Sequence, residues 1–548
     1  VGEDEIFRET RVCWGGKPKS IIFEKRLVKL VFEISLSPQG RVLLDLFFQV
    51  GIGGERRKIY SFNALVASLR KSYLNWEKEC TGIETDNELF NIVVERARND
   101  LRQLYTQTRY GGIVYGGIPW FAAPFGRDSL ITAFQTLALK PDLAEGVLSF
   151  CAKMQGTHFD SRRDEDPGKI FHEIRQGELA QLEEIPQTPY YGSVDATLLF
   201  LILAADYFRW TGDIAFLKRI ERNVSKGFHW LENLADVDAD GLVEYLRRSR
   251  RGLTNQGWKD SWDAILHRDG EVAEPPIALV EIQAYAYAAW KKWADILLHF
   301  GEKERAKVYE KKAEQIREKF EELFFWEEEN FYYLALDGKK NPVKIITSNP
   351  GHALWAGIVS EERAQKLSQR LLHPDLFSGW GIRTVSKASP VYNPMGYHRG
   401  TVWPHDNSFI LYGLKRYGFD HLSNRVATGL FEMVVRQKDL RFPELFCGFT
   451  RRGNNFPVNY PVACVPQAWA AGSVFLILQS ILGIEPYAYK GLVKVRPFLP
   501  SWLSWVKISG LRVGGAKLDL LFHREGEKSK FEILEQRGSI IILEERGE

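Results

Sequence analysis

Between about residues 85 and 485 apolar side chains recur at helical spacing, and this periodicity most narrows the folds open to the chain. It predicts helices over 87–107, 127–139, 142–155, 193–210, 213–235, 278–299, 301–324, 350–357, 360–373, 406–417, 419–437 and 465–483. These read as six successive pairs, mostly joined by short links, with longer connections at 157–192, 236–277, 325–349, 374–405 and 438–464. That rhythm suits a mainly α protein, an (α/α)6 toroid of six helical hairpins whose long loops gather at one rim.

The flanks read differently. Ser20–Glu24 and Arg41–Phe48 near one end, and Val506–Ile508, Ala516–Phe522 and Phe531–Leu534 near the other, have strand character and turn-forming neighbours. The expected organisation is a β region over 1–75, the toroid over 76–490 and a second β region over 491–548. The longest apolar stretch, Ala468 to Ile484, is interrupted by Gly472, Ser473, Gln479 and Ser480 and is short for a bilayer span, so it is read as a buried helix.

With 548 residues, 45% of them hydrophobic, the chain can bury a large core. Its 73 basic and 70 acidic residues nearly cancel, and no Lys/Arg block is interleaved with aromatics, so a nucleic-acid partner is not expected. Cys13, Cys80, Cys151, Cys447 and Cys464 are widely spaced with no CxxC, which argues against a disulfide framework or structural zinc and for a reducing, cytoplasmic setting. The acidic start lacks the order of a secretory signal, and no membrane segment is expected. No Met stands at position 1, which leaves a fragment, a processed form and a non-standard start all open.

Carboxylates among tryptophans point to the chemistry: Asn255–Asp263, Trp403–Asn407 and Phe442–Phe446. A pyranose offers a CH face to an indole and hydroxyls to charged groups, and cleaving a glycosidic bond takes two carboxyl groups, one on each side of the ring.

In their order along the chain, Gly126-Arg127-Asp128-Ser129, Gly168–Arg175, Gly192–Thr197, Gly257–Ser261, Gly400–Asn407, Pro443-Glu444-Leu445 and Cys464–Trp469 resemble the amylo-α-1,6-glucosidase family, the glucosidase part of glycogen debranching enzymes among the inverting six-hairpin glycoside hydrolases. The likeness covers roughly residues 75 to 510. It implies Asp260 as general acid and Glu444 as general base, about 6.5 to 9.5 Å apart if the reaction inverts. Trp258 and Trp262 beside Asp260 would desolvate it and keep it protonated.

Arg127 and Asp128 resemble the pair that holds outer hydroxyls of the non-reducing sugar. Trp120, Phe121 and Phe125 would form an apolar wall, and Trp403, His405 and Asp406 a further side. Glu173 and Arg175 would reach the leaving group, Tyr190, Tyr191 and Asp195 would close their loop, and Trp258 and Lys259 join the sugar-binding set.

Plainer roles compete. Asp260 could cap a helix, leaving Asp263 as the acid. Glu444 could pair with Arg441 or Arg451, and Arg127 with Asp128 could be an ion pair at a helix start. Asp236–Gly241 has acids at alternate positions, but its twelfth residue is Arg247 rather than Glu, so it reads as a turn before a strand Leu242–Tyr245, not a calcium loop. No metal or cofactor is expected.

The expected function is inverting hydrolysis of α-glucosidic bonds, foremost α-1,6 branch glucose of glycogen or limit dextrins, or short α-gluco-oligosaccharides. The alternatives are a disaccharide phosphorylase on the same toroid and a hydrolase of another α-linked disaccharide such as trehalose or sucrose. Glu444 weighs against the phosphorylase, which has no need of a base carboxylate.

Overall fold

The computed structural model describes residues 1–54 and 60–545, in two compact units. One comprises Val1–Glu77 and Gln176–Ile185. Strand Arg8–Trp14 pairs antiparallel with Leu46–Ile52, and Ser20–Glu24 with Leu27–Val31. Arg41–Asp45 forms no strand, contrary to the expectation for Arg41–Phe48, because the Arg8–Trp14 partner ends opposite Leu46. The expected β region also holds most of an unpredicted helix, α1 (Phe62–Glu79). Trp76 is its one buried residue, so its apolar residues form little of a core stripe for the sequence to reveal.

The other unit contains all twelve predicted helices: α2 (Glu88–Leu104), α3 (Gly126–Gln135), α4 (Asp142–Lys153), α6 (Asp195–Thr211), α7 (Ile214–Asn233), α8 (Val280–His299), α9 (Lys303–Leu323), α10 (Pro350–Ala356), α11 (Glu361–Leu371), α12 (Pro404–Arg416), α13 (Asp420–Val434) and α14 (Ala468–Leu482). The intervening α5 (Glu178–Gln181) belongs to the first unit. Helices α3, α6, α8, α10, α12 and α14 touch in that order, and α14 returns to α3, closing an inner ring. Each inner helix has a main outer partner, α4 for α3, α7 for α6, α9 for α8, α11 for α10, α13 for α12 and α2 for α14, with α4 also meeting α6 and α13 meeting α14. The sixth hairpin therefore joins the last helix of the body to the first.

Burial divides the two rings. Every residue of α14 is buried, and α6 is apolar almost all round, as a helix packed on every side requires. The outer α7 buries Phe216, Ile220, Val224, Phe228 and Leu231 at helical spacing, and α9 buries only Ala306, Ala313 and Phe320. Asp213 and Asn87 cap α7 and α2 by accepting from the Phe216 and Phe90 amides at 2.9 and 3.1 Å. Among the described residues no helix is long and apolar enough to cross a membrane.

Strands Trp505–Val513, Ala516–Glu525 and Lys528–Arg537 form an antiparallel sheet, with Gly82–Thr85 at its edge. Asp236–Gly241 is a turn in which Asp236 accepts from the Asp240 and Gly241 amides at 3.1 and 2.7 Å. Leu242–Tyr245 contributes only an isolated bridge, Tyr245 with Ile277, in place of the expected strand.

Candidate active site

Five of the inner helices are entered from the long loops and α3 from the segment 115–125, so the six N-termini open on the rim these segments form. None of the six starts is capped by a side chain. Their positive dipole ends favour negative charge, and Asp128, Asp195, Glu281 and Asp406 stand in first turns. A Cβ on Gly126 would lie 2.0 Å from the Phe171 carbonyl oxygen. Glycine there lets the start of α3 abut the 157–192 loop, where its amide donates to the His172 carbonyl at 2.9 Å.

Arg127 is the hub. Fully buried, it donates to Asp195 at 2.6 Å, to Asp260 at 3.0 Å and to the Gln256 carbonyl at 3.3 Å. Asp195 also accepts from Ser193 at 2.5 Å, so its expected loop-closing place is spent within this network. Arg127 thus ties α3, α6 and the 236–277 loop together, which a simple pair with Asp128 would not do. Replacing Arg127 with Met strands buried carboxylates, and we expect a loss of about 3–5 kcal/mol of stability, read as a lowered Tm that Arg127→Met/Asp195→Asn partly restores.

Asp260 caps no helix, since the next begins at Val280. Its side chain keeps 28% of its surface exposed, yet desolvation raises its pKa; Arg127 opposes the rise and Asp195 adds to it. Asp263, the other candidate acid, is paired with Arg399 at 2.9 Å. Trp258 is buried close by, but Trp262 is 69% exposed and does not desolvate the acid as expected, because it stands in a turn closed by the Ala264 amide on the Ser261 carbonyl at 3.0 Å.

Glu444 is gripped through both oxygens: the Tyr397 hydroxyl donates to Oε1, and the Cys464 amide to Oε2 at 3.0 Å. Arg441 pairs with Asp100 and Arg451 with Glu432, so neither serves Glu444. Burial pushes Glu444 up to about 7, with Tyr397 and the Cys464 amide opposing and Asp260 adding. Asp128 is pushed up to about 8 by burial; Arg127 opposes this, and the charges of Asp260 and Glu444 add to it. These couplings gather Asp128, Asp260 and Glu444 into one electrostatic cluster.

The other predicted residues divide between the rim and the layer beneath it. Trp120 is 55% exposed, with its indole N–H on the Val462 carbonyl at 2.9 Å. Arg175 donates twice to the Trp120 carbonyl at 3.2 Å, pairs with Glu173 and lies 5.5 Å from the Phe125 ring centre. Burial raises Glu173, and Asp260 adds to the rise. Beneath, Lys259 donates to the Thr384 carbonyl at 2.6 Å, and Asp406 holds His352 at 2.8 Å. His405 lies flat on Trp469 with ring centres 3.9 Å apart, and Trp403 meets Trp258 edge-on at 5.8 Å. Tyr191 donates to the Met154 carbonyl at 2.9 Å, so its polar tip is occupied by the scaffold.

Several partners lie outside the candidate residues, although Gln467 falls within the Cys464–Trp469 motif. Gln467 donates to Asp128 at 3.2 Å, and the Tyr285 hydroxyl meets His352 at 2.5 Å. Tyr397 stands six residues before Trp403, just outside the Gly400–Asn407 motif that could have flagged it. Near the same helix starts, Trp258 Nε1, Trp469 Nε1, Gln467 Oε1, Glu281 Oε2 and Asp406 Oδ2 are buried without a protein partner. Such donors and acceptors suit a polyhydroxylated ligand or ordered water.

At the start of the 236–277 loop, Asp236, Asp238 and Glu244 have oxygens within 4.8 Å of one another. The Lys340 ammonium sits on Asp238 at 2.9 Å, on Asp240 at 2.8 Å and on Glu244, so this acidic turn carries its own cation.

A model of the mannosylglycerate hydrolase MGH1-like glycoside hydrolase domain matches residues 127–456. Mannosylglycerate hydrolase of Thermus thermophilus is 26% identical over 132 residues, 24% of this chain and 32% of that protein. Mannosylglycerate hydrolase MGH1 of Selaginella moellendorffii is 32% identical over 100 residues, 18% of this chain and 20% of that protein. The matched stretches thus span about a third and a fifth of these curated relatives. Among solved structures, a GH78 family rhamnosidase of Bacillus sp. GL1 superposes with a TM-score of 0.60 at 15% identity, over 85% of this chain and 43% of that one. A GH63 mannosylglycerate hydrolase from Thermus thermophilus, in complex with Tris and D-glycerate, superposes with a TM-score of 0.54 at 14% identity, over 70% of this chain and 99% of that one. At such identities these superpositions speak for the fold alone.

Proposed function

The chain belongs to the mannosylglycerate hydrolase MGH1-like glycoside hydrolase family, and from that membership we propose that it hydrolyses a small α-linked glycoside with inversion at the anomeric carbon. The observation that carries this reading is the pair of differently held carboxyl groups: Asp260, raised and partly exposed on Arg127, and Glu444, gripped by Tyr397 and the Cys464 amide. Burial raises both, and their different partners, an arginine for one and a phenol with a backbone amide for the other, give the two acids different places in one site.

In this mechanism Glu444 accepts a proton from water as the water oxygen bonds to C1. The C1–O bond to the leaving group breaks with its electron pair going to that oxygen, and Asp260 delivers the proton it needs. Arg127 keeps Asp260 in place, and Asp128, with Gln467 behind it, is offered to the sugar hydroxyls. Trp120 and Arg175 at the rim are placed for the leaving group.

The family match spans Arg127, Asp260 and Glu444 and favours a small glycoside of the kind named for the relatives, mannosylglycerate, over glycogen branches. The resemblance of the motifs to amylo-α-1,6-glucosidases supports α-1,6 branch glucose as the second reading. Proton NMR of the sugar first released from mannosylglycerate, trehalose, isomaltose and a limit dextrin tests both. We expect the β anomer first, without phosphate and fastest from a two-unit substrate. The α anomer first from mannosylglycerate, isomaltose or the dextrin would rule out inversion, whereas trehalose releases one glucose of each anomer when inverted; turnover that requires phosphate would mark a phosphorylase. Preference for the dextrin would establish the second reading.

A further inference from the structure

Tyr397 lies in the loop between α11 and α12, and its main chain is tied down. Its carbonyl accepts from the Thr401 hydroxyl at 2.6 Å and from the Trp403 indole at 3.1 Å. Its ring is wedged by His398 at 4.5 Å, Trp403 at 4.9 Å and Tyr460 at 5.7 Å between centres. The hydroxyl therefore has little freedom, and it donates to Oε1 of Glu444. The opposite oxygen takes the Cys464 amide, and the Glu444 amide returns a bond to the Cys464 carbonyl at 3.0 Å, so side chain and backbone are clamped together.

We propose, resting on Glu444 as the base, that Tyr397 is a positioning residue whose hydroxyl holds Glu444 in the charged, fixed orientation that accepts the proton of water. A phenol can donate to a carboxylate and cannot accept from a neutral acid without giving up that bond, so it favours the charged form. The groups acting on Glu444 bear this out in sign: burial and Asp260 push its pKa up, while Tyr397 and the Cys464 amide pull it down. Asp128, Tyr460 and Cys464 are the other titratable groups coupled to it.

The test is the pH dependence of kcat/KM for the wild type and Tyr397→Phe, with Tm measured alongside and Glu444→Gln as control. The acid limb reports protonation of the base. Loss of a hydrogen bond to a charged group should move that limb up by about one to two pH units, with activity recovering toward alkaline pH. An unmoved limb, with activity lowered equally at every pH, would overturn the proposal and leave Tyr397 a packing residue. If Tyr397→Phe does not fold, 3-fluorotyrosine placed at position 397 keeps the shape and is a stronger donor. The limb should then move down, and no movement would overturn the proposal equally. The two failures are separable. Hydrolysis surviving in Glu444→Gln would remove the base assignment and the proposal with it, whereas an inactive Glu444→Gln beside an unmoved limb would remove only the role of Tyr397.

Discussion

Asp260→Asn is expected to lower kcat/KM on a substrate with an alcohol leaving group by about 10³- to 10⁴-fold, while leaving Tm within a few degrees of the wild type. The asparagine keeps an acceptor for Arg127, which approaches at 3.0 Å, so the buried hub of Arg127 and Asp195 survives and the loss is chemical. The diagnostic comparison is a glycosyl fluoride. Fluoride departs with little protonation, so the same variant should lose only about tenfold on it. Asp263→Asn should change kcat/KM by about threefold at most, because Asp263 is engaged with Arg399. Equal losses on both leaving groups for Asp260→Asn would remove it as the acid.

Glu444→Gln should lose about 10³-fold or more on either leaving group, since activating water is needed whichever group departs. The amide cannot take the proton, and it places an N–H₂ where Tyr397 or the Cys464 amide now donates. The sign of the pH effect follows from the raised pKa of Glu444. A base works in its charged form, so wild-type kcat/KM should fall as pH drops through about 7. Asp128, pushed up to about 8, is coupled to Glu444, so the midpoint of the limb is shared between them while its presence depends on the base. The residual rate of Glu444→Gln should lack that limb. A limb that persists unchanged in the variant would assign it to another group.

The contrast between α1 and α14 shows why some elements were legible. Helix α14 is mostly apolar, buried throughout, and ends at Gly483 in a left-handed conformation, so both its burial and its stop are written locally. In α1 the apolar residues are mostly exposed, and a β reading of the first 75 residues passed over them. The site divides in the same way. Arg127, Asp128, Asp260 and Glu444 sit in compact motifs whose composition is itself a signal. Gln467 meets Asp128 across 339 positions and Tyr397 meets Glu444 across 47, and neither pairing has a local pattern to announce it.

By itself, then, the sequence determined the alternation of buried and amphipathic helices, the long loops at one rim and the acids those loops carry, because periodicity and turn chemistry act over a few residues. Only the tertiary structure decided that α14 closes on α3, that Arg127 takes Asp260 while Arg399 takes Asp263, that Trp262 faces outward, and that Tyr397 grips the base. Those choices rest on which groups are desolvated together, and desolvation is set by elements that meet only after the ring has closed.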